Sequence, residues 1–517
     1  MPMKKYLYGA AVQGIQQFIF QSTELAEIAE ASAIVDAICK SFFAECLYGR
    51  PVDEEQMLQD YKDQLIVNAA GNVKVILNED DCRRVCLTFR KMISDLVPGI
   101  TVSQAVVPLP DNGQLNGELI DKLEQKLRIQ RNMIPRNATL GMMGTLRCRK
   151  TGLPAVAWSK DEAVDKATLT KHEGKKGGRG VRDLCNMAFG SQFRSNQLPY
   201  NIEDIEGIQK WVAIIHADGN GLGQVVRRVG HDTEKFPVFS RRLDQATRNS
   251  VRDTFNELVG AGKIVMEKDG KPQVLPIRPV VLGGDDVTVI CRADLAMDFV
   301  NILCRKFEEQ TKDLLGDIIG NNVFESGENY LTLCAGIAFI KSNYPFHFGY
   351  QLAEELCSVA KKDARSQVKD ENTCLIPACA AFHKIQDSFI ESYSDICVRE
   401  LSLSGSRSFM NGPYYVSETS NRDTIDSVVK SAKRLLGVDK IVKNALRQWL
   451  SDMALDHVDE AQQRLDRMYA IKQGKETFIQ KLTTGSQRIR KVGGEEQRII
   501  IYPAYDVMSL SAVYKPE

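Results

Sequence analysis

Apolar positions along this chain switch between two periods, and the switches recur. The run Leu65-Ile66-Val67 ends at a small-residue turn, Ala69-Ala70-Gly71-Asn72, and resumes as Val73-Lys74-Val75-Ile76. The run Val280-Val281-Leu282 ends likewise at Gly283-Gly284-Asp285-Asp286 and resumes as Val287-Thr288-Val289-Ile290. Alternation with β-branched residues about such a turn predicts a hairpin in each place. Behind the first hairpin, Cys82, Val85, Cys86, Phe89, Met92 and Ile93 keep helical spacing. Behind the second, Leu295, Phe299, Ile302, Leu303 and Phe307 do the same. Each helix leads to a further strand, Ile100 to Leu109 and Leu331 to Ile340. The pattern predicts one strand–hairpin–helix–strand unit present twice, as in duplicated α+β domains.

Other segments frame these units. Residues 211–218 form an apolar strand ending at Asp218, followed by the turn Gly219-Asn220-Gly221-Leu222-Gly223. A long helix follows, with Phe239, Leu243, Ala246, Val251, Phe255 and Leu258 on its apolar stripe. Between the repeats, residues 171–182 read KHEGKKGGRGVR, which predicts a mobile, solvated linker. Beyond residue 417, Val428, Leu435, Leu436, Ile441, Leu446, Leu450 and Leu455 predict a small helical bundle, closing on the apolar segment Ile499 to Tyr502. The boundaries are 1–140 for the first unit, 141–205 for a linker, 206–417 for the second unit and 418–517 for the helical domain.

Composition narrows the class. Apolar residues make up 43% and charged residues 26%, ordinary for a soluble globular chain of roughly three domains. Lys plus Arg equals Asp plus Glu at 67 each, which argues against a general nucleic-acid coat and leaves room only for a local basic groove. The thirteen cysteines are odd in number and contain no CxxC pair, so neither a disulfide framework nor a zinc site is expected. With no signal-peptide plan and no apolar run of membrane-spanning length, the expected location is cytoplasmic.

The candidate chemistry lies at the second hairpin. Adjacent carboxylates at Asp285 and Asp286 raise each other's pKa unless a cation neutralises them, and no basic residue follows before Arg292. Mg²⁺ or Mn²⁺ prefers such oxygen ligands. With Asp218 alongside, three carboxylates suit two metals about 3.5–4 Å apart, one activating a 3′-hydroxyl and the other stabilising pyrophosphate. A lone Gly-Gly-Asp-Asp is more often an ordinary polar turn, and a lone strand-terminal Asp a helix cap. Their joint occurrence, with a degenerate second copy, favours a site. Ala69, Ala70, Gly71 and Asn72 hold no cation, so the first copy is catalytically silent. Glycines at 219, 221 and 223 can approach phosphate but do not make G-x-G-x-x-G, so a dinucleotide fold is weak. His216, on an apolar strand, reads as structural. His231-Asp232 lacks a second histidine cluster to build a nuclease centre, and Cys148 lacks a cysteine partner for a zinc ribbon.

These residues bring the chain to a family. Over residues 6–417 it resembles the large polymerase/cyclase subunit of type III CRISPR effector complexes, which carries two ferredoxin-like Palm domains. The resemblance rests on Gly14-Ile15-Gln16-Gln17-Phe18-Ile19, Glu30-Ala31-Ser32, Ala217-Asp218-Gly219-Asn220 and Gly283-Gly284-Asp285-Asp286. Thr151-Gly152-Leu153-Pro154, Gly336-Ile337-Ala338 and Ala360-Lys361-Lys362 also fit. It implies an α+β fold with a degenerate first Palm, a second Palm that turns ATP into cyclic oligoadenylate with two Mg²⁺ or Mn²⁺ ions, and a C-terminal helical bundle. It implies metal roles for Asp218, Asp285 and Asp286, and nucleotide contact near Ser32, Gly219, Gly283, Gly284 and Lys361. Guide RNA, target RNA and other effector subunits are the implied partners, with no membrane and no zinc. The chain departs from the family where its first Palm begins almost at Met1, leaving no N-terminal histidine–aspartate nuclease domain, where linker zinc ligands are reduced to Cys148, and where Asn220 replaces an Asp. The rivals are a non-catalytic RNA-binding scaffold subunit and a cyclase making a guanine-containing or dinucleotide product.

Overall fold

The computed structural model describes residues 4–514 except 23, 53, 63, 70, 111–114, 116, 134–143, 175–178, 191–192, 208–209, 230–234, 321–323, 326, 371–372, 387–391, 419–421, 472–475 and 493–494. Its first unit runs β1 (Lys5–Gln13), α1 (Ile15–Phe20), α2 (Leu25–Ala37), β2 (Leu65–Ala69), β3 (Asn72–Asn78), α3 (Glu79–Leu96) and β4 (Thr101–Pro108). The strands lie in the order β2-β3-β1-β4. Along β3, Val73, Val75 and Leu77 are buried while their neighbours are half-buried, the period-2 pattern read from the sequence. The Asn78 side chain caps α3 by accepting from the Asp81 N–H, and Glu79, Asp80 and Asp81 complement the helix dipole. Helix Gly117–Arg131 covers the sheet's other face with Leu119, Leu123 and Leu127.

The linker is ordered where it was expected to be solvated. Lys171 and His172 lie in α4 (Lys166–Gly174), followed by α5 (Arg179–Phe189), and both side chains are buried. Lys171 donates to Phe18 O at 2.6 Å. His172 bonds Glu27 at 2.5 Å and Ser159 at 2.8 Å. The expectation of a solvated loop is corrected here because buried acceptors from α1 and α2 satisfy these polar groups. Residues 175–178 of that stretch lie outside the described residues.

The second unit repeats the order of the first. It comprises β5 (Trp211–Gly219), α6 (Leu222–Val229), α7 (Lys235–Gly260), β6 (Ile277–Gly283), β7 (Asp286–Arg292), α8 (Ala296–Ile319) and β8 (Leu333–Lys341). Its strands run β6-β7-β5-β8. After α9 (Phe346–Ser366), the sheet extends through β9 (Cys379–Lys384) and β10 (Tyr414–Tyr415). Both hairpins slip register three positions before their closing pair, Ile66 before Ala69 and Val280 before Gly283. Both hairpins thus carry a bulge at the same offset from the turn. Gly336 lets α9 lie close on β8, since a Cβ there would sit 1.9 Å from Ala353 O. Alternation along the paired strands places His216, Asp218, Asp286 and Thr288 on that same face.

The first unit packs over this face. The Phe20 ring stacks on Tyr350 with centroids 3.7 Å apart, α2 contacts β6, and one continuous apolar core joins both units. Four helices, Ile425–Leu436, Lys440–Ala454, Val458–Ile471 and Glu476–Thr483, open the C-terminal region, and a fifth, Ala504–Ser511, packs back on the first of them. Between the fourth and the fifth the chain makes a hairpin, Ser486–Val492 with Glu495–Ile501, whose second strand pairs with Arg407–Ser408. That sheet joins residues on both sides of the expected boundary at 417/418, and the segment around Ile499 is a strand within it. Among the described residues, no helix is long and apolar enough to cross a membrane.

Candidate active site

Strand pairing alone brings the hairpin carboxylates to Asp218. Because Val287 lies opposite Ala217, Asp286 enters the sheet beside Asp218. Asp285, in the turn, rests against Gly219, where a Cβ would lie 3.0 Å from Asp285 Oδ2. Gly284 takes φ +64°, a left-handed turn position that favours glycine. Its peptide groups are gripped from α7. Thr247 Oγ1 donates to Gly284 O at 2.6 Å, and the Gly284 N–H donates to Asp244 Oδ1 at 3.2 Å. Arg248 pairs with Asp244 at 2.8 Å. Gly283 closes the β6–β7 ladder opposite Asp286.

The opposite wall comes from α9. Lys361 Nζ lies 2.5 Å from Asp218 Oδ2 and donates to Gly219 O at 2.8 Å. Burial pushes Asp285 up to about 8, and the Asp218 charge and side-chain hydrogen bond add to the effect. Burial likewise pushes Asp286 up to about 7, with Asp218 and Glu354 adding and Lys361 opposing. His216 Nδ1 is 3.3 Å from Asp286 Oδ1, yet its hydrogen bond goes to Thr288 Oγ1 at 3.2 Å, so Asp286 Oδ1 is left without a donor. Burial lowers the His216 pKa, and its ring meets Tyr350 edge-on with centroids 5.7 Å apart.

This donor set suits a hard divalent cation. Two crowded carboxylates favour their protonated forms until positive charge arrives, and an undonated buried oxygen offers a lone pair to it. Among the described residues, no group of three or more His, Cys, Asp or Glu is already arranged as a metal cage. A cation held here by one or two of the carboxylates would have to complete its coordination with water and phosphate oxygens, the habit of Mg²⁺.

The other sequence candidates fall on either side of this centre. Gly219, Gly283, Gly284 and Lys361 belong to it. Ser32 is buried in α2, with no hydrogen bond to the carboxylates among the described residues. Asn220 turns away, donating to Thr332 Oγ1 at 3.0 Å and Cys334 Sγ at 3.2 Å. Cys148 is a buried free thiol 3.8 Å from Thr168 Oγ1. His231 and Asp232 lie outside the described residues. Sequence reasoning missed the grip of Asp244 and Thr247. It also missed Tyr350 and Glu354, which meet Gln16 of the Gly14–Ile19 motif, whose amide donates to Glu354 at 2.9 Å and to Tyr350 OH at 3.3 Å. Nothing in a helical stripe distinguishes such residues from ordinary core and surface positions.

Comparison with known proteins places this centre in context. Residues 211–370 match the sequence model of the Cas10/Cmr2 second palm domain. No curated protein matches the chain. Among solved structures, a chain of a Csm1–Csm4 cassette in complex with cA4 is similar at TM-score 0.54 and 14% identity, over 99% of this chain and 69% of that one. The cassette in complex with AMPPNP gives 0.52 and 14%, over 99% and 70%. The cassette in complex with cA3 gives 0.52 and 12%, over 99% and 69%. At these identities the likeness is one of fold. The family to which the sequence motifs point is the family these comparisons return.

Proposed function

We propose that this chain is a nucleotidyltransferase that joins ATP into cyclic oligoadenylate in CRISPR-type defence, using two ferredoxin-like Palm domains, the first degenerate. One observation carries the reading: Asp218 of one strand and Asp285 and Asp286 of the neighbouring hairpin meet beneath Lys361 with an oxygen of Asp286 undonated. The family match over residues 211–370 and the cA4, cA3, AMPPNP and ATP complexes of similar structures support it.

In this reading the three aspartates hold two Mg²⁺ or Mn²⁺ ions, which when bound supply activation of a 3′-hydroxyl and charge stabilisation for the leaving pyrophosphate. Lys361 exchanges Asp218 for a phosphate oxygen, keeping its charge close to the carboxylates throughout. The backbone at Gly283 and Gly284 admits the phosphates closely because no side chain stands there, while Gly219 leaves the room that Asp285 occupies. Ser32 contacts the nucleotide from the first Palm, which supplies position rather than chemistry. Partner subunits, guide RNA and target RNA set when the site works.

Incubating the purified chain with each nucleoside triphosphate and Mn²⁺, then identifying products by mass spectrometry, tests the proposal. ATP is expected to give cyclic oligoadenylate, and Asp285→Ala with Asp286→Ala to give none. Unchanged turnover in the double variant would refute the site; a guanine-containing product would redirect the substrate.

A further inference from the structure

Two thiols meet under α9, one strand over from Asp218. Cys334 of β8 pairs with Asp218 of β5 on one side and with Cys379 of β9 on the other, so its side chain shares the face that α9 covers. The Cys334 and Cys379 sulfurs lie 3.6 Å apart, and both side chains are fully buried and free. Each sulfur also touches a rim of the carboxylate centre. The Asn220 amide, two residues beyond Asp218, donates to Cys334 Sγ at 3.2 Å. The Cys379 thiol donates at 3.3 Å to the carbonyl of Ala360, the residue before Lys361. The proposed reaction uses neither thiol.

From this juxtaposition we infer that Cys334 and Cys379 are an oxidative modification site, a reversible disulfide that switches the neighbouring centre off; the switching rests on the nucleotidyltransferase reading. Opposed residues on neighbouring strands lie about 4.8 Å apart, within the roughly 4.4–6.8 Å that a disulfide spans between Cα atoms. Closure brings the sulfurs from 3.6 Å to about 2.05 Å. The oxidant is a peroxide. It converts one thiol to a sulfenic acid and is itself reduced, releasing water. The second thiol attacks that sulfur, the S–S bond forms, and the hydroxyl leaves with the thiol's proton as a second water. Peroxide reaches the pair through local opening of β9, which β10 covers over two residues, Cys379 and Ala380. Closure then acts on both rims. A bridged Cys379 has no proton for Ala360 O, on the helical turn that carries Lys361. The Cys334 sulfur moves toward Cys379 and away from Asn220, leaving that amide to Thr332.

Treating the full chain with hydrogen peroxide, alkylating the remaining thiols and mapping its peptides without reduction tests the site. A Cys334–Cys379 link is expected, with ATP turnover lowered about tenfold, as small displacements of reacting groups do, and restored by dithiothreitol. Hydrogen exchange, which needs no turnover, should rise at residues 219–224 and 359–363 when the link forms and fall back on reduction. Cys379→Ser keeps a donor for Ala360 O, so it should match the reduced chain in turnover and escape the reversible inhibition. Circular dichroism and melting confirm that this variant is folded, and the mapping and exchange on the unsubstituted chain do not depend on it. Both thiols alkylated after peroxide, a link that leaves exchange and turnover unchanged, or equal reversible inhibition of Cys379→Ser each overturns the inference. A link with raised exchange in a chain that polymerises no nucleotide in either state would sink the proposed reaction and leave the disulfide and its effect on the two rims standing.

Discussion

At the residue scale, the informative groups are carboxylates that the fold crowds together. Asp285, ordinarily near 3.8, is pushed up to about 8, so the folded chain binds this proton more tightly than the unfolded chain. Stability is then greatest at low pH on this account and falls as pH rises from 3.8 through about 8. Metal-free protein should therefore melt at a lower temperature at pH 8 than at pH 6.5. Asp285→Asn should flatten that dependence, and Mn²⁺ should flatten it in the unsubstituted chain by binding the ionised form. Melting scans in chelator decide this; equal slopes in the two proteins would mean that Asp285 does not carry the strain. Asp218, Asp285 and Asp286 were legible because each sits at a strand end marked by glycine. The hydrogen bond from His216 to Thr288 was not, since Thr288 is a neighbour only across the ladder.

At the element scale, the hairpins, their following helices and their outer strands were legible because period-2 and helical stripes are local. Burial of Lys171 and His172 was not, because Lys- and Gly-rich composition signals solvent while Glu27 lies 145 positions away. The grip of α7 on the turn was hidden for the same reason. Thr247 looks like any helical threonine, yet it donates to Gly284 O, 37 positions on, at 2.6 Å. Thr247→Val keeps the shape and strands that carbonyl, at a cost of roughly 1–3 kcal/mol. A turn displaced by a fraction of an ångström should lower product formation about tenfold or more. Thr247→Ser, which restores the hydroxyl, should recover most of the rate. A Val variant as active as the parent would show that Asp244 holds the turn without it.

At the scale of the whole molecule, the two units do not share a sheet, so their alignment depends on side chains that cross between them. Phe20 of α1 is one of them: it is 7% exposed, stacks on Tyr350 at 3.7 Å and lies 5.8 Å from the Phe346 ring. Gln16 crosses at the same place, and a single apolar core runs beneath both. A chain with one shared core should unfold in one main transition. Phe20→Ala removes about 3–5 kcal/mol of packing at the seam while leaving every carboxylate and Lys361 in place. The expected result is a melting curve that broadens or splits as the units uncouple, together with loss of product at full occupancy of Mn²⁺. Hydrogen exchange should then rise along α1 and the first half of α9, and remain low in β5 and β7. Loss of product with exchange unchanged at the seam would instead assign Phe20 to nucleotide contact, and a variant that melts in one step and turns over normally would show that the units hold their alignment without it.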